Sequence, residues 1–153
     1  MVECSKCPIP PVDKVIVSVD LDQAKSVPTT ISRADCFVYY QERGSVLIEC
    51  KTAYIKRAVK QLEECICFLN GKWQEFVTSE DLPDSTPVPK NFILFLKNGI
   101  GKEKRRYEID RKTKKLRIKG NGYQMVNNSG YIEVYTGRDL ASMRGNLHSF
   151  GVK

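Results

Sequence analysis

The chain is poor in histidine and tryptophan, with His148 and Trp73 the single instances among 153 residues. His148 has no catalytic partner beside it in sequence and reads as a surface or packing residue. No apolar stretch approaches the roughly 20 residues that span a bilayer, so no helical membrane span is expected. The N-terminal run Met1-Val2-Glu3-Cys4-Ser5-Lys6-Cys7-Pro8 lacks the apolar core of a signal peptide, which makes the cytoplasm the expected location. There is no internal repeat. A glycine-rich phosphate loop of the Walker type is also missing, leaving nucleotide hydrolysis without support.

The length is that of one ordinary domain, and a hydrophobic fraction of 41% is enough for a single core, so residues 1–153 are read as one unit. The net charge of +7 is unevenly placed. Ten basic residues, Lys102, Lys104, Arg105, Arg106, Arg111, Lys112, Lys114, Lys115, Arg117 and Lys119, face only Glu103, Glu108 and Asp110 in the same stretch. That density is an electrostatic footprint for a polyanion. Arg106 to Ile109 and Leu116 to Lys119 alternate as a hairpin should, with Asp110 to Lys115 as the loop. Its contacts would go to phosphate and carry no sequence choice. A lysine-rich edge that discourages sheet-to-sheet pairing would show the same pattern.

Other elements follow from periodicity. Val12 to Val19 reads as an early strand and Leu21 to Val27 as a short helix halted before Pro28. Tyr54 to Leu69 is the clearest helix, with Ile55, Ala58, Val59, Leu62, Ile66 and Leu69 on one stripe, ended by Asn70-Gly71. Ser79 to Lys90 is a surface loop. Phe92 to Leu96 is a continuous apolar run, as in a central strand buried on both faces. Tyr131 to Tyr135 reads as a further strand and Arg138 to Met143 as a terminal helix. The sum is an α/β fold with a central mixed β-sheet flanked by helices.

Cys4 and Cys7 form a CxxC, and Cys65 and Cys67 a CxC at the end of the long helix. Together they offer four thiolates for zinc or an iron-sulfur cluster. Cys36 and Cys50 read as small apolar core residues. Trp73 and Tyr123 would stack on bases if exposed and otherwise anchor the core.

The densest chemistry lies between residues 35 and 51. Cys36 to Tyr40 and Val46 to Cys50 read as antiparallel strands joined by Gln41 to Ser45. Pairing Phe37 with Glu49 sets Asp35 opposite Lys51 and puts Asp35, Phe37, Tyr39, Leu47, Glu49 and Lys51 on one face. Both faces are largely apolar, and a carboxylate desolvated there without a partner costs several kcal/mol. A hard cation resolves that cost, with Asp35, Glu49 and the Cys50 carbonyl as oxygen ligands. Lys51 would orient a metal-activated water or offset charge on phosphorus. The reaction so assembled is phosphodiester hydrolysis.

These residues resemble the PD-(D/E)xK nuclease superfamily, which includes restriction endonucleases, Holliday junction resolvases and RecB-type nuclease domains. The likeness rests on Ser32-Arg33-Ala34-Asp35-Cys36-Phe37-Val38, Leu47-Ile48-Glu49-Cys50-Lys51 and the helix bearing Arg57-Ala58-Val59-Lys60-Gln61-Leu62, about residues 32–69. Ala34 stands where the motif has its proline. The resemblance implies a restriction endonuclease-like core and an Mg²⁺- or Mn²⁺-dependent DNase. In it Asp35 and Glu49 are metal ligands, Lys51 is the catalytic lysine and Gln61 is the polar residue on the following helix. Members often carry a further acid nearer the N-terminus, for which Glu3, Asp13, Asp20 and Asp22 are the candidates. DNA is the expected partner, with the choice between branched, duplex and single-stranded substrates, and a homodimeric assembly, left open. Two readings from other classes use the same residues: a non-catalytic nucleic-acid-binding protein built on the basic hairpin, and a regulatory protein whose basic surface meets an acidic partner.

Overall fold

The computed structural model describes residues 1–51 and 54–149, with side chains through Met143. The side chain of His148 therefore lies outside the described residues. A six-stranded mixed sheet forms the centre, in the order β1 (Val15–Asp20), β2 (Cys36–Tyr40), β3 (Gly44–Lys51), β4 (Asn91–Leu96), β9 (Gly130–Thr136) and β8 (Met125–Val126). β1, β2 and β3 run antiparallel in sequence, whereas β3 to β4 and β4 to β9 are parallel. Parallel neighbours need long crossovers. The first is α1 (Ile55–Ser79); the second carries a three-stranded sheet of β5 (Tyr107–Ile109), β6 (Leu116–Ile118) and β7 (Gly122–Tyr123). α2 (Gly137–Ser149) ends the described chain.

Each face of the sheet has its own cover. Phe37, Leu47, Phe92, Leu94, Ile132 and Val134 pack under α1 through Ala58, Leu62, Ile66 and Leu69. On the other face, Val38, Tyr40, Val46, Ile48, Ile93 and Phe95 lie under the N-terminal segment and Leu140 of α2. β4 is buried from Phe92 to Leu96, as its unbroken apolar run implies.

Several expectations are corrected. The β2–β3 pair is shifted by two residues: Phe37 faces Leu47 and Tyr40 faces Gly44, so the connection is Gln41-Glu42-Arg43. A shift of two preserves which face each side chain occupies, so the predicted grouping of Asp35, Glu49 and Lys51 survives the error. The Asp13 carboxylate holds the tighter turn, accepting the N–H groups of Glu42 (2.6 Å) and Arg43 (2.9 Å). Gly44, at φ +82°, opens β3 from it.

The long helix does not stop at Asn70-Gly71. It bends at Lys72 (φ −133°, ψ 23°) and continues to Ser79. Tertiary packing overrides the local breaker here: Trp73 and Phe76 stack 5.3 Å apart and both meet Phe37, at 5.5 and 5.6 Å. Trp73 is thus a core anchor whose indole N–H donates to Thr86 O, and it is not a base-stacking platform. Leu21–Gln23 is a single 3-10 turn in place of the helix expected to Val27, and the first strand begins at Val15.

The cysteines differ most. Cys4 is bonded to Cys36 and Cys7 to Cys50, with Cα atoms 5.8 Å apart in each pair, while Cys65 and Cys67 stay free on α1. The predicted cluster of Cys4, Cys7, Cys65 and Cys67 is not formed, because α1 covers one face of the sheet and the N-terminal segment covers the other. Cys36 and Cys50 are cross-linked and not free core thiols. Closing loops of 32 and 43 residues restrains the unfolded chain by about 3–4 kcal/mol per bridge on chain-entropy grounds.

At Gly130 an added Cβ would overlap the Lys90 carbonyl oxygen. Gly130→Ala is expected to destabilise the chain by about 1–3 kcal/mol, read as a lower midpoint of urea unfolding with an unchanged m-value.

Candidate active site and nucleic-acid interface

The end of β3 places the acids. Asp35 immediately precedes β2 and Glu49 lies two residues before the end of β3, beside Leu94 of the parallel strand β4. Asp35 is not opposite Lys51. Its carboxylate Oδ2 instead accepts the Cys50 N–H at 2.9 Å, just beyond the last β2–β3 pair, Cys36 with Ile48. In an extended strand the N–H and C=O of one residue project to the same side, so the Cys50 carbonyl also faces the Asp35 side.

Glu49 is 1% exposed. Its Oε2 lies 3.2 Å from Lys51 Nζ, whereas its Oε1 is buried with no hydrogen-bond partner. Burial pushes the Glu49 carboxyl up to about 8, the neighbouring Asp35 carboxylate adds to the rise, and Lys51 opposes it. The facing helix adds to this enclosed polar environment. Gln61 Oε1 is a second buried acceptor without a donor. Cys65, one turn on from Gln61, has its thiol pushed up to about 12 by burial, with the Glu49 carboxylate a smaller contributor. Cys65 packs in the layer between α1 and the sheet face that Leu47 and Glu49 share.

Asp35, Glu49 and the Cys50 carbonyl are hard oxygen donors of the kind Mg²⁺ takes, and Glu49 Oε1 has no hydrogen-bond partner. The N-terminal acids are engaged elsewhere. Asp20 pairs across from Cys36, on the face opposite Glu49, and accepts the Asp22 N–H at 3.0 Å. Asp22 pairs with Lys6 and with Arg33, Asp13 holds its turn, and Glu3 is exposed.

Two openings take in Gln61 and Lys51 respectively, and neither is lined by Asp35 or Glu49. One, of about 300 Å³, is lined by Ser32, Arg57, Lys60, Gln61 and Glu64. The other, of about 550 Å³, lies at the carboxyl ends of β3 and β4 and includes Lys6, Cys50, Lys51, Phe95 and Lys97. Sequence reasoning placed Arg57 and Lys60 only as the polar side of a helix; their position above Gln61 depends on how α1 crosses the sheet.

The basic hairpin forms in the expected register, Tyr107 with Ile118 and Ile109 with Leu116. Its ten basic residues divide. Lys114 pairs with Asp139, Lys115 lies 4.7 Å from the Tyr131 ring centre, and Arg117 meets Asp110 at 3.0 Å and the Tyr123 hydroxyl at 3.1 Å. Tyr123 is thereby a structural partner: its hydroxyl also donates to Asp110, holding that carboxyl down at about 2 together with the Thr113 and Lys112 N–H groups. Lys102, Lys104, Arg105, Arg106, Arg111, Lys112 and Lys119 lie toward solvent, with no ion pair among the described residues. Glu103, within the same segment, accepts the N–H groups of Ile55 (2.7 Å) and Lys56 (3.3 Å), capping α1 from a distance. This cap ties the basic segment to the helix end nearest Lys51.

Comparison with protein-family models, with curated proteins and with solved structures finds no match.

Because the folded carboxyl of Glu49 titrates near 8 and the unfolded one near 4.5, the folded state holds the extra proton between those values. The stability that Glu49 contributes is therefore fully present below about 4.5 and is lost as pH rises to about 8. Denaturant titrations in EDTA are expected to show a decline of a few kcal/mol at most, and Glu49→Gln is expected to remove that component of the slope.

Proposed function

We propose that this chain is a metal-dependent nuclease of the PD-(D/E)xK type that hydrolyses DNA phosphodiester bonds. The observation that carries the reading is the buried Glu49 carboxyl, set against Asp35 and Lys51 with its Oε1 lacking a hydrogen-bond donor. A purely structural acid–lysine pair gives no reason to bury an acid whose second oxygen lacks a donor. The central mixed sheet with helical cover agrees with the restriction endonuclease-like core that the resemblance implies.

In this reading Asp35, Glu49 and the Cys50 carbonyl hold Mg²⁺ or Mn²⁺, with Gln61 completing or orienting the oxygen shell. The ion supplies Lewis acidity at a phosphoryl oxygen and lowers the pKa of a bound water. Lys51, held against Glu49, orients the attacking water by hydrogen bonding and balances negative charge that grows on the phosphate. Arg57 and Lys60 at the mouth above Gln61 attract the backbone toward the acids. The exposed basic residues from Lys102 to Lys119 extend that track, reading phosphate and not base.

Cleavage of labelled single-stranded, duplex and four-way-junction DNA is expected with Mg²⁺ or Mn²⁺ and to vanish in EDTA. Asp35→Asn, Glu49→Gln and Lys51→Ala should each slow it by at least about 100-fold while circular dichroism stays native. Chelation that leaves cleavage untouched overturns the proposal, and salt-sensitive binding without product returns the chain to the non-catalytic class.

For the interface, combined Lys104→Ser, Arg105→Ser and Arg106→Ser should weaken duplex binding. It should also flatten the dependence of log K on log salt by about 0.9 for each phosphate that is no longer neutralised. Fluorescence anisotropy over about 50–200 mM salt reads this directly. Arg117→Ser, whose guanidinium faces Asp110 and Tyr123, should lower stability more than it lowers affinity.

A further inference from the structure

The two disulfides share one neighbourhood, and Asp35 stands in its middle. Cys7 Sγ is 3.5 Å from Asp35 Oδ2 and Cys4 Sγ is 3.7 Å from the Asp35 carbonyl oxygen. Cys36 is the next residue in the chain, and the Cys50 N–H donates to the same Asp35 oxygen. Four sulfurs from two strands and one CxxC turn thus surround a single residue.

Redox state decides what these sulfurs are. In a reducing compartment protein thiols are kept reduced. Four thiols are then left together, with Cys4, Cys7 and Cys36 buried and Cys50 half-buried. Four such thiols in one place have the ligand chemistry of a soft-metal site. The C-x₂-C spacing of Cys4 and Cys7 is a usual zinc knuckle. Cys36 and Cys50 share a sheet face on adjacent strands, offset by two residues from the Cys36–Ile48 pair, so their Cα atoms lie about 7–8 Å apart. Each turn cysteine is already 5.8 Å, Cα to Cα, from its strand partner. Zinc–sulfur bonds of about 2.3 Å require sulfurs about 3.8 Å apart, a spacing that calls for rotation of these side chains out of their disulfide rotamers. The ligand atoms of Cys7, Asp35 and Cys50 already lie within 4.8 Å of one another.

We propose that the reduced chain binds one zinc ion through the thiolates of Cys4, Cys7, Cys36 and Cys50, the metal replacing the two disulfides as the tether of the N-terminal segment. Each disulfide takes up two electrons and two protons from a dithiol reductant, which becomes a disulfide in turn. Zinc binding then releases the four thiol protons to solvent. This site is separate in ligand chemistry from the oxygen site at Glu49 and does not depend on nuclease activity. Asp35 touches both, through its carboxylate and its neighbour Cys36, so the tether holds the residue that the proposed catalytic centre uses.

The test is a Co²⁺ titration of full-length chain, reduced with a dithiol and desalted without oxygen, with zinc used afterward as competitor. One equivalent of cobalt with the absorption of a tetrahedral tetrathiolate is expected, bleached by one equivalent of zinc. Cys7→Ser and Cys36→Ser should each weaken uptake by at least about tenfold, while Cys67→Ser leaves it unchanged. A reduced native chain that takes up no cobalt overturns the proposal without reference to any variant that fails to fold. Uptake that survives Cys4→Ser and Cys36→Ser but is lost in Asp35→Asn overturns it in favour of a Cys7–Cys50–Asp35 site.

Discussion

β3 is clamped on both edges, antiparallel to β2 and parallel to β4, and the rest of the site depends on that double pairing. A strand paired on one edge slips or frays at its end; one paired on two is held in register by both ladders. The clamp carries Glu49 into the layer under α1, where the carboxylate is fully enclosed. It also ends the β2 ladder at Cys36, leaving the Cys50 N–H for Asp35 to accept. The acids meet because one ladder stops and the other continues.

The same arrangement explains why the chain before β1 matters. Cys36 and Cys50 sit at the two positions on the outer face that flank Asp35, and both are bonded to the N-terminal segment. Lys6, between the two turn cysteines, reaches Asp22 and lies 3.5 Å from Asp20, so the segment is fixed by charge as well as by sulfur. The hydrogen bond to Asp22 comes first among the effects that hold the Lys6 ammonium above its ordinary range. These contacts stiffen the corner where β1 and β2 end, which is the corner that aims Asp35.

Period-2 alternation was enough to read the acid face, since any even register error keeps Asp35, Glu49 and Lys51 together. The unbroken Phe92 to Leu96 run and the alternation of the basic hairpin were legible for similar reasons: each signal is local and repeats. What was not legible came from distant partners. Asn70-Gly71 is a sound local stop that Trp73 and Phe76 override by packing on Phe37. The disulfide partners of Cys4 and Cys7 lie 32 and 43 residues away as single cysteines within strands, and motif spacing alone favoured the CxC of Cys65 and Cys67. The cap that Glu103 places on α1 joins residues 48 apart, with no mark in either segment.

The number of partners per oxygen separates Asp110 and Asp139 from Glu49. Asp110 and Asp139 take side-chain and backbone donors, and their carboxyls are held below the ordinary range. Such acids stabilise the folded chain in their ionised form. Glu49 does the reverse: one oxygen has Lys51, the other has nothing, and burial raises its pKa from 4.5 to about 8. An apolar residue at position 49 would pack between Leu47 and Leu94 without that penalty, so stability alone gives no reason for the acid. A local rule broken at such a buried site is where function is expected to lie.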